Sequence, residues 1–306
     1  MPGSIHASAT ASSAEPPPLL ATGPSPTARV WQRLRASRSA RLGAALVGLF
    51  LLVAVGADWL APYGPDDVDT LFPQPQPPSW KHWLGTDPLQ KDVFSRVLFG
   101  SRLSLIAGIT SITLAALVGT PLGAVAGYFG GRCDALVMRA IDVALTFPSV
   151  LVALLLAAAF RPGWATVILA VGLINVPLFA RQIRATVLTL REAEYLLACR
   201  AMGASTWYLL TRQIVPALIS PVVVLASLSV GTAVLEVAGL SFLGLGGDLT
   251  EPEWGAMLAQ ARDYRGTNLW FALGPGIAIS LTVLGFNLLG DGLRDALDPQ
   301  SDVRLV

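Results

Sequence analysis

Charged side chains are scarce in this 306-residue sequence. Asp, Glu, Lys and Arg make up 13% of it, about half of the ~25% that is typical of soluble domains. The formal net charge is only +1, so the chain has no broad basic face that could neutralise nucleic-acid phosphates. These shortages exclude an ordinary soluble enzyme, a disordered interaction protein and a nucleic-acid-binding protein.

Cysteine and histidine are also rare. The two cysteines, Cys133 and Cys199, are too few for a disulfide framework, and both fall in segments expected on the cytoplasmic side, where thiols stay reduced. The two histidines, His6 and His82, cannot form a metal site by themselves, and we expect His82 to be a surface residue. The sequence therefore predicts no metal site.

Apolar residues, in contrast, make up 53% of the chain and are concentrated in long runs. Six of these runs approach or exceed the ~20 residues that an α-helix needs to cross a bilayer. They lie at 43–61, 103–128, 135–160, 163–183, 218–243 and 269–290. The sequence therefore predicts an all-α polytopic membrane protein with six transmembrane helices.

The distribution of basic residues predicts the orientation of these helices. With the N-terminus inside, the segments on the cytoplasmic side hold 14 of the 21 Lys and Arg residues. Cytoplasmic loops of membrane proteins carry such an excess. We therefore expect a multi-pass protein of the cell membrane with both termini in the cytoplasm.

The spans divide the chain into predicted regions. In order, these are a disordered basic cytoplasmic tail at 1–40, a first transmembrane helix at 41–61, an extracytoplasmic segment at 62–102 with a short helix at 89–100, five further spans at 103–293, and a cytoplasmic tail at 294–306. Two polar connections within the five spans are long enough to carry function. One is cytoplasmic, at 184–217, and the other is extracytoplasmic, at 246–268.

The cytoplasmic connection is predicted to be two short helices joined by a tight turn. Its elements in order are a helix at 191–202, a glycine turn at Gly203, a helix at 206–214 capped by Ser205, and a new span beginning at Pro216. Glycine is favoured after a helix end and serine at a helix start. The residues around the turn are small, which suits either insertion into a partner or packing under the bundle.

The same segment resembles the EAA loop of ABC-importer permeases. Gly203 and Pro216 stand at the spacing of that motif, and Ala198 matches its first alanine. Leu197 stands where the motif has glutamate, and Cys199 where it has the second alanine, so this chain lacks the carboxylate of the motif.

Motifs along the rest of the chain resemble one subfamily of these permeases. They are HWLGTD at 82–87, GYFGG at 127–131, LSFLGLG at 240–246, WGAML at 254–258 and NLLGDGLRDALDP at 287–299. Together they are similar to the C-type subunit of dipeptide/oligopeptide/nickel permeases. Gln90 and Lys91 replace the usual Gly-Arg of that family.

The resemblance implies a type I importer core made of the second to sixth spans. It implies a pore-forming, non-catalytic subunit of an ATP-driven importer of peptides or related small solutes in a prokaryotic inner membrane. A homologous second permease, one or two ATP-binding subunits and an extracytoplasmic solute-binding protein would be its partners. The chain has no Gly-x-x-x-x-Gly-Lys-Ser/Thr loop, so ATP and Mg would be bound by the ATP-binding subunits.

Two other functions fit the sequence less well. A secondary transporter or channel acting without an ATPase would leave 184–217 without a role, and the sequence lacks the inverted repeats of many such carriers. A membrane enzyme would need catalytic groups clustered at one depth, which the spans do not contain.

Candidate site residues follow from the resemblance and from polar residues in unusual places. The residues expected to contact the ATP-binding subunits are Arg191, Glu194, Ala198, Cys199, Arg200, Ala201, Gly203 and Pro216. The polar residues within spans, expected to bond helices together or to line the path, are Asp142, Asn175, Glu236 and Asn287. We expect Asp142 to pair with Arg139 on its own helix. Glu251, Glu253 and an exposed Trp254 are expected either to dock the binding protein or, for Trp254, to anchor at the membrane interface.

Overall fold

The computed structural model describes residues 26–71, 75–248, 250–262 and 269–297. Throughout these ranges the chain is helical apart from its connections, and two isolated β-bridges join Val68 to Lys91 and Thr86 to Asp92. Residues 1–25 and 298–306 of the predicted tails, and Asp263 of the predicted extracytoplasmic connection, lie outside the described residues.

The helices follow one another in this order: α1 Pro26–Ala36, α2 Arg38–Leu60, α3 Val93–Phe129, α4 Gly131–Thr146, α5 Ser149–Phe160, α6 Trp164–Arg191, α7 Glu194–Ala201, α8 Thr206–Tyr208, α9 Val215–Phe242, α10 Trp254–Ala261 and α11 Trp270–Leu297. A π-helical turn, Leu209–Ile214, joins α8 to α9 without a break. Of the described helices, five are long and apolar enough to cross a membrane, and α4 with α5 makes a sixth crossing if the bent pair is one span.

The bend between α4 and α5 divides the predicted span at 135–160. The two helix axes differ by 88°. Pro148 disfavours helical backbone at the preceding residue, and Phe147 accordingly has an extended conformation, with φ −86° and ψ 130°. The prediction of one uninterrupted helix here is therefore wrong.

Two further boundaries differ from the sequence prediction. Residues 26–36 form α1, so the predicted disorder does not extend to residue 40. The short helix predicted at 89–100 is instead the start of α3, which runs unbroken from Val93 to Phe129. The Asp92 carboxylate caps this start by accepting a hydrogen bond from the Ser95 amide at 2.8 Å, as N-cap residues do.

The centre of the bundle is the close packing of α3 against α6. Small residues recur at every fourth position of α3, at Ser111, Ala115, Gly119, Gly123 and Gly127, all of them buried. A Cβ atom on Gly123 would collide with the Ala180 carbonyl of α6. Small residues allow such close approach of membrane helices. Apolar side chains from α9, α10 and α11 complete the core around this pair.

Candidate functional site

The α7–α8 hairpin (residues 192–208) has the predicted turn. Gly203 has φ +86°. The Ala204 amide donates to the Cys199 carbonyl at 3.0 Å and the Gly203 amide to the Arg200 carbonyl at 2.9 Å, which is the Schellman arrangement. The Ser205 hydroxyl caps the next helix by accepting from the Tyr208 amide at 3.3 Å. The glycine turn and the serine cap are confirmed.

The first helix of the hairpin is shorter than predicted. α6 continues to Arg191, and α7 begins only at Glu194. The chain changes direction between them because Ala193 is extended, with ψ 136°. Glu194 therefore lies in the first turn of α7, where the helix dipole favours an acidic residue.

One face of the hairpin is held against the bundle. Leu196 is 1% exposed and packs in a cluster with Val187 of α6 and Leu209. Cys199 packs on the same cluster, so it faces the bundle and not the outer surface. This cluster gives the hairpin a fixed position relative to α6 and α9.

Two arginines fix the hairpin to the end of α3. The Arg191 guanidinium donates to the Tyr128 carbonyl at 3.5 Å, and the Arg200 guanidinium lies 5.3 Å from the centre of the Tyr128 ring. A cation over an aromatic face is attracted by the ring quadrupole. These two residues, which the sequence predicts to contact the ATP-binding subunits, hold the hairpin in place.

The opposite face of the hairpin is exposed and largely apolar. Glu194, Ala198, Ala201 and Gly203 are exposed, together with larger side chains that the sequence prediction did not include: Tyr195, Leu197, Met202, Trp207 and Tyr208. Met202 is 79% and Trp207 75% exposed. Their apolar character within a polar connection is the sequence signal that could have revealed them.

Pro216 lies in the first turn of α9, directly after the π-helical turn. Within a regular α-helix its ring would clash with the Arg212 carbonyl. The π turn widens the helix at this point, and the Val215 amide bonds the Leu210 carbonyl five residues back. Local widening of this kind accommodates the proline.

Two ion pairs connect α4 with α6. Arg181 donates to Asp142 at 2.6 Å, and Arg184 binds both oxygens of Asp134, with Nη2 at 2.6 Å from Oδ2. The expected pairing of Asp142 with Arg139 is therefore wrong, because the neighbouring helix places Arg181 closer. The sequence could not reveal either partner, since 39 and 50 positions separate the paired residues.

Asn175 and Glu236, both singled out within spans, meet each other. The Asn175 amide donates to Glu236 Oε2 at 2.8 Å and to the Val171 carbonyl at 2.9 Å. This bond joins α6 to α9. Asn287 lies half-buried on α11.

The predicted extracytoplasmic connection at 246–268, called the outer connection below, does not present the expected aromatic surface. Trp254 and Glu253 are both 0% exposed, so the predicted exposure of Trp254 is wrong. The Trp254 indole donates to the Val97 carbonyl at 3.0 Å, and Glu253 caps α10. Glu251 is half-buried and accepts from the Trp164 indole at 2.6 Å. These side chains connect the outer connection to α3 and α6.

His82 is also buried, contrary to the expectation of a surface residue. Its ring nitrogens lie 2.9 Å from Asp92 and 3.1 Å from Asp69. Hydrogen bonds from Lys81 and His82 lower the pKa of Asp69 to about 2. Since Asp92 caps α3, this cluster ties the segment after α2 to the start of α3.

A buried ion pair strengthens the same attachment. Asp87 and Arg96 lie 3.3 Å apart with both side chains 0% exposed. Burial raises the pKa of Asp87 despite the nearby cation. Arg96 also donates to the Glu251 carbonyl at 3.2 Å, so it bonds both the segment after α2 and the 246–268 connection to α3. Within the described ranges no group of three or more His, Cys, Asp and Glu residues is arranged to hold a metal ion.

Comparison with known protein families identifies the family of this chain. Residues 119–303 match the model of the binding-protein-dependent transport system inner membrane component, and residues 25–78 match the N-terminal transmembrane domain of oligopeptide transport permease C. The chain belongs to the binding-protein-dependent permease family. The predicted family and the function of a membrane permease subunit are thereby confirmed.

Several curated permeases are similar over nearly the whole chain. The dipeptide transport system permease protein DppC of Alkalihalophilus pseudofirmus is 40% identical over 93% of both chains. The glutathione transport system permease protein GsiD of Pectobacterium atrosepticum is 42% identical over 90% of this chain and 91% of its own. The probable D,D-dipeptide transport system permease protein DdpC of Escherichia coli is 40% identical over 89% and 91%, respectively.

A solved structure shares the fold. The methionine ABC transporter MetNI in an inward-facing conformation superposes with a TM-score of 0.56, covering 66% of this chain and 97% of that chain, at 18% sequence identity. The predicted all-α permease fold is confirmed.

Proposed function

We propose that this permease subunit forms, together with a homologous second permease, the pore of an ATP-driven importer of short peptides. The relatives named above transport dipeptides, glutathione or D,D-dipeptides. These solutes are all short peptides with free charged groups, which supports a peptide as the substrate class here. The proposed location is a prokaryotic inner membrane, with both termini in the cytoplasm.

The α7–α8 hairpin is the proposed contact for separate ATP-binding subunits, which would bind ATP and Mg. The observation that carries this proposal is an exposed apolar face on a firmly anchored hairpin. Exposed apolar patches of this kind mark sites of protein interaction. Ala198, Ala201 and Gly203 would allow close approach, while Met202 and Trp207 would supply most of the buried area.

Movement of the hairpin can be transmitted to the pore helices, because one face of the hairpin packs against them. Leu196 packs against α6 and the turn leading into α9, and Arg200 contacts the end of α3. A shift of the hairpin therefore acts on three helices together. When the ATP-binding subunits close over ATP, they would favour one of two conformations of the bundle, as a ligand with unequal affinity for two states does. An extracytoplasmic binding protein would deliver the peptide from the other side.

A pair of glycine variants tests the hairpin contact. Gly203 and Gly244 have nearly the same backbone angle, φ +86° and φ +83°, and at each a Cβ atom would have no described neighbour within 4 Å. An aspartate at either position would carry a similar backbone cost of about 1–2 kcal/mol. Gly203 lies in the hairpin, whereas Gly244 lies at the far end of α9.

We expect Gly203→Asp to abolish ATP-dependent peptide uptake and to weaken co-purification of the ATP-binding subunits. Gly244→Asp should retain co-purification, and both variants should insert into the membrane normally. Equal co-purification in the two variants would contradict the hairpin contact. Peptide uptake by reconstituted permease without any ATP-binding subunit would instead favour a secondary transporter.

A further inference from the structure

One face of the α4–α5 pair is left uncovered by the described part of this chain. Every residue from 142 to 151 is exposed, on both sides of the 88° bend. A regular surface helix of a packed bundle buries one of its faces. The ends of α4 and α5 that meet at the bend therefore project from the bundle, toward a space that other molecules must fill.

An incompletely satisfied ion pair lies on this projecting surface. Asp142 and Arg181 have side chains 58% and 54% exposed, and their contact joins one oxygen to one nitrogen. A charged residue directed at lipid costs about 2.5–3.5 kcal/mol near the bilayer centre, so such residues usually face a bundle interior or a water-filled cavity. The remaining carboxylate oxygen and guanidinium groups are available to a polar ligand.

The second ion pair between the same helices differs in this respect. Asp134 and Arg184 have side chains 19% and 33% exposed, and Arg184 binds both carboxylate oxygens. This pair is a satisfied link between α4 and α6. It is therefore a matched control for any test of the Asp142–Arg181 pair.

An apolar cavity of about 570 Å³ is lined by residues that neighbour the exposed pair along α4 and α6. Its walls include Ile141, Leu145 and Phe147 from the α4 side and Pro177 from α6. Ile141 directly precedes Asp142, and Pro177 is one helical turn from Arg181. Small-ligand sites commonly have volumes of about 300–1,000 Å³ and combine apolar walls with a few polar groups.

We propose that the Asp142–Arg181 pair and the adjoining cavity form a binding site for a short zwitterionic peptide on the translocation path. Asp142 would receive the peptide ammonium group, Arg181 its carboxylate, and the cavity an apolar side chain. The two protein charges bind each other again when the peptide leaves, which keeps the affinity low enough for release. This inference rests on the proposed function and names the surface of this subunit that its substrate would contact.

The test is binding of the apolar dipeptide alanyl-phenylalanine to the purified importer complex without the binding protein, measured by saturation-transfer NMR. The comparison ligands are the same dipeptide with its amine acetylated and with its carboxylate amidated. The variants are Asp142→Asn and Arg181→Gln, with Asp134→Asn and Arg184→Gln as controls.

Wild-type complex should bind the free dipeptide about tenfold more tightly than either blocked form, since each charge-assisted hydrogen bond is lost on blocking. Asp142→Asn should no longer distinguish the free from the acetylated amine, and Arg181→Gln should no longer distinguish the carboxylate from the amide. Both control variants should keep the wild-type preferences, with any loss confined to thermal stability.

Wild-type preferences in the Asp142 and Arg181 variants, or an equal loss of affinity for free and blocked peptides, would overturn the inference. Equal loss would mean that the pair only links the two helices. ATP-dependent uptake with the binding protein is measured in parallel on wild-type complex. If wild-type complex shows this uptake but the variants bind peptide like wild type, only the proposed site is refuted. If wild-type complex shows no ATP-dependent uptake, the proposed function is refuted.

Discussion

Glu253 is a buried carboxylate that fixes the start of α10. It accepts hydrogen bonds from the Gly255 and Ala256 amides at 2.8 and 2.7 Å. Burial raises its pKa, although these two amide bonds act in the opposite direction. The side chain that the sequence placed on a docking surface is therefore part of the core. Its role is to satisfy helix-end amides that have no partner within the helix itself.

We expect Glu253→Ala to lower the stability of the permease by about 1–3 kcal/mol, because the buried amides at the start of α10 lose their acceptor. Glu253→Gln should cost less, since it keeps one acceptor oxygen and removes a buried charge. Thermal unfolding of the detergent-solubilised protein measures both. Equal melting temperatures for the alanine variant and wild type would show that α10 does not need this cap.

The close packing of α3 against α6 depends on glycine residues of α3, which have no side chain. Gly119, Gly123 and Gly127 bring the backbone of α3 against α6, and a Cβ atom on any of them would press on atoms of that helix. Small residues at intervals of four lie on one face of a helix. The spacing is visible in the sequence, but the identity of the facing helix is not.

We expect Gly123→Ala to destabilise the bundle by about 1–3 kcal/mol, because the added methyl group forces α3 away from α6. Gly48 of α2 is the matched control, since no described atom beyond its own turn of helix lies within 4 Å of its Cβ position. Gly48→Ala should be neutral or slightly stabilising, because alanine loses less backbone entropy than glycine. Thermal melting of both variants in the same detergent measures these effects. Similar shifts in melting temperature would contradict the close packing of α3 against α6.

At the scale of the whole molecule, the segment after α2 and the α7–α8 hairpin lie near opposite ends of α3. The cluster of His82, Asp92 and Arg96 surrounds the start of α3, whereas the hairpin packs on Tyr128 near its end. α3 spans 37 residues, about 55 Å at 1.5 Å per residue. This separation suits a protein that binds one partner on each side of a membrane.

The proposed orientation predicts which positions a membrane-impermeant maleimide reaches on intact cells. Trp80, 99% exposed in the segment after α2, and Arg132, exposed in the first turn of α4, are the positions to test. In a background with Cys133→Ser and Cys199→Ser, the Trp80→Cys variant should react on intact cells. The Arg132→Cys variant should react only after permeabilisation. The reverse pattern would place the hairpin outside and would contradict its proposed contact with ATP-binding subunits.

The sequence by itself determined the features that depend on neighbouring residues. The apolar runs required a membrane, and Gly203 and Ser205 marked the end of one short helix and the start of the next, because caps and turns form within a few residues. The predicted new start at the proline at 216 was wrong, since the helix continues through the π-helical turn into α9. The break at the proline at 148 was not predicted, and its 88° angle depends on how α4 and α5 pack.

Only the tertiary structure decided which polar groups meet and which are buried. Arg181 competes with Arg139 for Asp142 from a different helix, Asn175 reaches Glu236 from 61 positions away, and Trp254 bonds Val97 from 157 positions away. Local sequence patterns do not predict contacts between residues so far apart in the chain, because any helix face can pack on several others. Packing of the whole bundle brings these groups together, and it therefore also decides which charges stay exposed.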